Sequence, residues 1–164
     1  DVASQLRSSV ITWDDLSWIR GVWENSGPIL LKGVQCVEDA RLALKHGVDG
    51  IIVSNHGGRQ MDRVYPTLQI LKEVVPALKG SNMAVLLDGG VRSGSDVAIA
   101  LAYGADAVLA GRAYIYGLGA GGKTGVRKAF DILKKELEDT LRLLGCRSVH
   151  DLNPVDHLRT NPFS

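Results

Sequence analysis

The apolar positions of this chain fall into two alternating kinds of segment. Short unbroken apolar runs occupy residues 29–31, 50–53, 84–87 and 107–110, the second and third leading into Ser54 and Asp88 to give strands over 50–54 and 84–88. Between them, apolar residues recur every three or four positions, as in Leu16, Ile19, Val22 and Trp23, or Leu68, Leu71, Val74, Val75 and Leu78. The unbroken runs predict strands covered on both faces, and the spaced segments predict amphipathic helices. Helices are further predicted over 38–46, 96–103 and 126–144, with a short last one after Ser148. The punctuation agrees. Thr12 to Asp15 and Ser148 to Asp151 read as capping boxes, a hydroxyl with an acid three residues on. Gly27-Pro28, Gly47, Gly104 and Gly145 close helices.

Strands alternating with helices, each strand a continuous apolar run, define a parallel α/β architecture. A repeat sharpens this expectation. Gly33, Val34, Asp39, Ala43, Gly47 and Asp49 recur, without a gap, as Gly90, Val91, Asp96, Ala100, Gly104 and Asp106. The chain therefore carries two copies of a strand–helix–strand–helix unit. Repetition of βα units builds the (β/α)8 TIM barrel, for which roughly 250 residues is usual. With 164 residues and four βα units, the chain is expected to be half of such a barrel, its C-terminal half, in one domain spanning 1–164.

Charge narrows the partners. Nineteen basic and eighteen acidic side chains give a net charge of +1, without the basic excess of a nucleic-acid binder. No apolar run is long enough to cross a membrane. The start, Asp1-Val-Ala-Ser-Gln-Leu-Arg7, has no apolar leader, and the two cysteines, Cys36 and Cys146, lack metal or redox spacing. An intracellular, reducing location follows as the expectation, not secretion.

One motif points elsewhere. Gly117-Leu-Gly-Ala-Gly-Gly-Lys-Thr124 matches the phosphate-loop pattern G-x-x-x-x-G-K-[ST] letter for letter. A phosphate loop must leave a strand directly and open a helix. Here the nearest strand is predicted to end at Ala110, and no later strand ends in an acid able to hold magnesium. The match reads as coincidence of composition, and the stretch as a surface loop before the long helix.

In barrels, chemistry collects at the C-terminal ends of strands. Those ends read, in order, Lys32-Gly33, then Ser54-Asn-His-Gly-Gly-Arg-Gln60, then Asp88-Gly-Gly-Val-Arg92, then Gly111-Arg112. The last two suit an anion. Gly89, Gly90 and Gly111 let backbone N–H groups approach a phosphate, and Arg92 and Arg112 supply charge. His56 can accept a proton near neutral pH, and Arg59 can grip a carboxylate at two points. Each residue also has a plainer reading: tight turns for the glycines, solvated surface charge for the arginines and Lys32, a turn cap for His56.

Together these four stretches resemble the signature of the FMN-dependent α-hydroxy-acid oxidising enzymes, the family of glycolate oxidase, lactate oxidase, lactate monooxygenase and mandelate dehydrogenase. The resemblance runs from about Thr12 to Leu158. It implies FMN as cofactor and oxidation of a small (S)-2-hydroxy acid to the 2-oxo acid. It implies His56 as the base, Arg59 as the carboxylate ligand, and Lys32 beside the flavin, stabilising negative charge on it. Ser54 would hydrogen-bond the flavin and Asp88 the ribityl chain. Gly89, Gly90, Val91, Arg92, Gly111 and Arg112 would form the phosphate site. The resemblance also implies a cytoplasmic or peroxisomal homo-oligomer, and makes residues 1–11 a remnant of a lid loop.

The chain departs from the family pattern in places. Arg63 stands where glycine is usual and Ala113 where proline is usual. The active-site tyrosines and the aspartate that pairs with the histidine belong to the family's N-terminal half. The expected partner is therefore that half or a second copy of the chain. A competing expectation is a non-catalytic half-barrel that binds a phosphate ligand or a partner subunit.

Overall fold

The protein is described here by a computed structural model covering residues 11–24 and 26–158. Residues 1–10 of the expected lid remnant lie outside the described residues. In chain order the elements are α1 (Asp15–Trp23), β1 (Leu30–Val34), α2 (Val37–Lys45), β2 (Gly50–Val53), α3 (Thr67–Ala77), β3 (Ala84–Leu87), α4 (Gly94–Ala102), β4 (Ala107–Val108), α5 (Arg112–Leu144) and α6 (Pro154–His157). Single 3-10 turns cover His56–Gly58 and Val149–Asp151.

The four strands form one parallel sheet in the order β1-β2-β3-β4. Sequential neighbours joined by helices are what four consecutive βα units of a barrel require. The core lies under β2 and β3. Ile51, Val53, Leu71 and Val74 are fully buried, with Val85 and Leu87 close behind. β1 differs from the expectation of a strand covered on both faces. It is one of the sheet's two edges among the described residues, β4 being the other, and its exposure alternates, with Leu30 37% exposed and Val34 2%. The first helix is also shorter than expected: it stops at Trp23, where Glu24 takes a left-handed conformation.

The repeat has a structural meaning. In the first copy Asp49 accepts a hydrogen bond from the Ile29 N–H at 2.7 Å while its own N–H donates to Ile29 O. In the second copy Asp106 and Val85 make the same reciprocal pair. Each aspartate thus registers its strand against the one before it. The bond from Ile29 and then the Arg20 guanidinium hold the Asp49 carboxyl below the ordinary carboxylate range. Ala43 and Ala100 are both buried where helix meets sheet. The N-caps correspond too: Cys36 Sγ accepts from Asp39 N–H, and Ser93 Oγ accepts from Asp96 N–H.

The glycine-rich stretch 117–124 is not the surface loop expected. It is helical, part of an α5 that begins at Arg112 and breaks only at Gly121 and Gly122. A Cβ on Gly117 would lie 2.5 Å from Gly125 O, so the two segments of α5 cross at this point. Gly117 and Gly125 permit that close crossing, which a composition-based reading cannot distinguish from a loop. Neither placement leaves a strand feeding a phosphate loop.

The equivalent glycines Gly47 and Gly104 follow α2 and α4 in left-handed conformations, at φ 71° and 93°. Open space surrounds Gly47, whereas a Cβ on Gly104 would meet Val75 Cγ1 at 2.8 Å. Gly47→Ala should cost about 1–2 kcal/mol from backbone strain alone. Gly104→Ala should cost more, because the clash adds to the same strain. Urea unfolding of the two variants, side by side, measures the difference, and equal losses would contradict the packing described.

Candidate functional site

Three strand ends are joined by one polar network. Lys32, near the end of β1, donates from Nζ to Ser54 Oγ at 2.8 Å and pairs with Asp88 Oδ2 at 2.6 Å. Ser54 follows β2 and Asp88 follows β3. The lysine and aspartate side chains together therefore bridge β1 and β3 across β2, about 10 Å at normal strand spacing. Ser54 is fully buried, and its Oγ also accepts the His56 N–H at 3.1 Å. The remaining carboxylate oxygen, Asp88 Oδ1, is buried and has no hydrogen-bond partner among the described residues. A buried acceptor without a donor is costly, and it marks a place where a ligand hydroxyl would be welcome.

His56 is held by backbone geometry. Its φ is 53°, a left-handed conformation unusual for a residue with a side chain. Two bonds fix it: its own N–H to Ser54 Oγ, and the next N–H, from Gly57, to Asn55 Oδ1 at 3.0 Å. The imidazole then lies against Gly33, where a Cβ would come within 3.0 Å of His56 Cε1. Gly33 has φ 99° and sits at the register shift between Lys32 and Val34 in the β1–β2 pairing. The bulge, its glycine and the histidine form one arrangement. Arg59 donates from Nε to His56 O at 3.1 Å. That bond ties the arginine to the backbone of the histidine and leaves the terminal guanidinium nitrogens available.

Four of the other predicted residues gather around a cleft of about 420 Å³ between the ends of β2, β3 and β4. Gly89, Gly90, Val91 and Arg112 line it, with Asn55 and Thr67. The Arg112 guanidinium reaches toward the β2 end, 3.6 Å from a Cβ built on Gly57. Gly111 is the N-cap of α5, so the positive end of the helix opens here. Asp96 also lines the cleft. Its carboxylate is occupied, accepting from Arg92 N–H, Ser93 N–H and Ser93 Oγ–H, each at 2.9 Å. The Arg92 side chain is exposed and is not among the residues lining the cleft. Lys32 lines a separate cavity of about 270 Å³ with Gly33, Trp13 and Leu16.

Two contributors were absent from the sequence expectation. Asn55 caps the Gly57 turn and also donates to Tyr65 O at 3.4 Å. Thr67, 4% exposed, donates to Gly89 O at 3.2 Å and so steadies the glycine turn. Asn55 had a legible signal, an Asx residue two before a glycine; Thr67 had none, because its partner is distant in sequence.

A model of the FMN-dependent dehydrogenase family matches residues 1–160. The chain belongs to that family. It is 51% identical over 158 residues to a peroxisomal (S)-2-hydroxyacid oxidase of Arabidopsis thaliana, covering 96% of this chain and 42% of that protein. It is 48% identical over 152 residues to a pre-mycofactocin synthase of Mycobacterium tuberculosis, covering 93% of this chain and 38% of that protein. A solved mandelate oxidase with benzoyl-formic acid superposes with a TM-score of 0.82 at 44% identity, over 88% of this chain and 42% of that one. The fold is thus part of a (β/α)8 TIM barrel. The chain spans about two fifths of the length of these relatives.

The donor set fits FMN. A buried unpartnered carboxylate oxygen suits a ribityl hydroxyl. A half-buried lysine at the adjacent strand end suits an electron-rich ring edge. A helix start with Arg112 and a glycine turn suits a phosphate. Among the described residues no helix is long and apolar enough to cross a membrane, and no cluster of His, Cys, Asp and Glu could hold a metal.

Gly33→Ala tests the histidine's seat directly. The added methyl should displace the imidazole and shift its NMR resonances, while Gly47→Ala, at the far end of the unit, should leave them unchanged. Unmoved resonances in Gly33→Ala would show that the ring does not rest on that glycine.

Proposed function

We propose that this chain supplies one side of an FMN-dependent active site that oxidises a small (S)-2-hydroxy acid to the 2-oxo acid. The observation that carries the reading is the Lys32–Ser54–Asp88 network, with His56 hung from the same serine and Asp88 Oδ1 awaiting a donor. FMN, when bound, supplies the acceptor for the two electrons that leave the substrate. Asp88 would accept from the ribityl chain, and Ser54 would donate its own hydroxyl proton to the flavin. Lys32 would set a fixed positive charge beside the ring. Gly89, Gly90, Val91, Arg92, Gly111 and Arg112 would hold the phosphate; Arg92 would have to turn inward to do so.

His56 takes a proton from the substrate, and the neutral imidazole is a suitable base near physiological pH. Arg59 binds the carboxylate. With Nε committed to His56 O, its two terminal nitrogens can form the two-point grip, and the bond keeps that grip at a set distance from the base. Placing base and carboxylate ligand on one rigid turn orients the α-carbon between them.

The rest of the site comes from a second body, either the N-terminal half of the barrel or a second copy of this chain. Support comes from the open edge at β1 and from exposed apolar side chains, among them Trp18, Tyr116 and Leu118. Closing a sheet into a barrel removes such edges. A homo-oligomer in a cytoplasmic or peroxisomal setting accords with the Arabidopsis relative being named peroxisomal and with two free cysteines. Relatives about equally similar to this chain carry different activity names, an (S)-2-hydroxyacid oxidase and a pre-mycofactocin synthase.

Steady-state kinetics and flavin content of the complete enzyme test the two roles separately. His56→Gln should keep the yellow colour and lower kcat by roughly 10²–10⁴-fold, the usual contribution of general-base catalysis. Arg59→Lys keeps the charge but loses the fork, so KM should rise as kcat falls. A near-normal kcat in His56→Gln, or activity lost only together with flavin, would overturn the assignment.

A further inference from the structure

One buried hydroxyl outside the Lys32–Ser54–Asp88 network is used in an unusual way. Thr67 is the first residue of α3 and is 4% exposed. A hydroxyl at a helix start ordinarily bonds to the backbone of its own first turn. Here the residue before the helix is Pro66, which has no such group, and Thr67 Oγ1 reaches instead to Gly89 O at 3.2 Å. A carbonyl oxygen can only accept, so the hydroxyl donates its one proton there.

The acceptor belongs to a Gly–Gly peptide. Gly89 and Gly90 follow β3 at φ 92° and 82°. With no Cβ on either side, the plane of this peptide can rotate about its flanking bonds and exchange the directions of its C=O and N–H. In a trans peptide those two groups point opposite ways. With the Gly89 C=O held toward buried Thr67, the Gly90 N–H is turned away from it. Gly90 is exposed and lines the same cleft as Arg112. No acceptor for its N–H is present among the described residues. The packing around Gly89 agrees with a fixed orientation. A Cβ there would meet Asn55 Oδ1 at 3.0 Å and Thr67 Oγ1 at 3.2 Å, and Asn55 Oδ1 is itself held by the Gly57 N–H.

We propose that the Thr67 hydroxyl locks the Gly89–Gly90 peptide with its N–H outward, and that Thr67 is thereby a positioning residue for the cofactor phosphate. The inference rests on the FMN reading and deepens it, by naming the buried group that aims one of the phosphate donors. One hydrogen bond on the protein side decides which way the peptide dipole faces on the ligand side. Without it the peptide is free to turn. The Gly90 N–H is then lost as a donor, and a carbonyl oxygen facing the phosphate would repel it. The groups assigned to the flavin ring and ribityl chain, Lys32, Ser54 and Asp88, are held by their own bonds and do not depend on this peptide.

The test separates the phosphate from the rest of the cofactor. Thr67→Val keeps the branched shape and removes the hydroxyl, whereas Thr67→Ser keeps the hydroxyl. Dissociation constants for FMN and for riboflavin, which lacks the phosphate, are measured by flavin fluorescence on the complete enzyme stripped of flavin. Thr67→Val should weaken FMN binding roughly 10-fold, as expected for a lost hydrogen bond to a charged group, and leave riboflavin within about 2-fold. Thr67→Ser should bind both as the unmodified enzyme does. Circular dichroism confirms that each variant is folded. A purely structural role would weaken both flavins alike, and that result would overturn the proposal. So would unchanged FMN affinity in Thr67→Val, or a loss that serine does not rescue. An unmodified enzyme that binds no FMN would overturn the FMN reading, and this inference with it.

Discussion

The ion pair between Lys32 and Asp88 is the constraint on which the site depends. It crosses a strand that belongs to neither partner, and Ser54 sits between them on that strand. Partly buried charges are costly unless paired, so breaking the pair leaves a charge without compensation. Three strand ends are thereby fixed relative to one another by side chains, beyond what the backbone ladder does. His56 inherits this order, because its backbone N–H ends on the same serine. A lysine reaching across the sheet needs a path, and the bulge at Gly33 leaves the backbone beside it without a side chain. That same vacancy seats the imidazole.

The repeat explains how one unit can serve two chemistries. Its shared positions are scaffold: Asp49 and Asp106 register strands, Ala43 and Ala100 fill the helix–sheet seam, and Cys36 and Ser93 cap helices. Its divergent positions are the strand-end residues to which the proposed function assigns roles. Lys32 of the first copy corresponds to Gly89 of the second, and Ser54-Asn-His56 corresponds to Gly111-Arg-Ala113. The first copy places charge, hydroxyl and imidazole at its strand ends. The second removes side chains there and offers backbone N–H groups and a guanidinium. On the proposed function, proton chemistry and anion binding would in this way be divided between two copies of one frame.

Legibility followed the range of the interactions. The order and type of the four strands and their helices could be read locally, because each strand is one apolar run bounded by a cap or a glycine. The strand-end residues could be read once the barrel was inferred, since topology brings those ends together. Three features could not be read. The edge position of β1 depends on what is or is not beside it, which no local pattern records. The stretch 117–124, helical except for a break at Gly121 and Gly122, goes with a close backbone crossing between Gly117 and Gly125, and glycine content alone argues for a loop. The Arg59 bond to His56 O and the outward Arg92 are side-chain choices made within a turn, where the sequence supplies only residue type.

Stability and function occupy different parts of the sheet. The largest fully buried side chains belong to β2, to Ser54 at its end and to α3, and those of β3 are nearly so, while most of the exposed apolar ones lie on α1, at the start of β1 and along α5. Ser54 and Asp88 leave the two best-packed strands, so the groups that must hold position are anchored in the most rigid ground. Lys32 and Arg112 come from the flanks, and each reaches inward to the β2 end. The centre of the sheet can therefore keep its network whatever docks at the edges. A second body closing against β1 or α5 would complete the substrate side without having to build the flavin side.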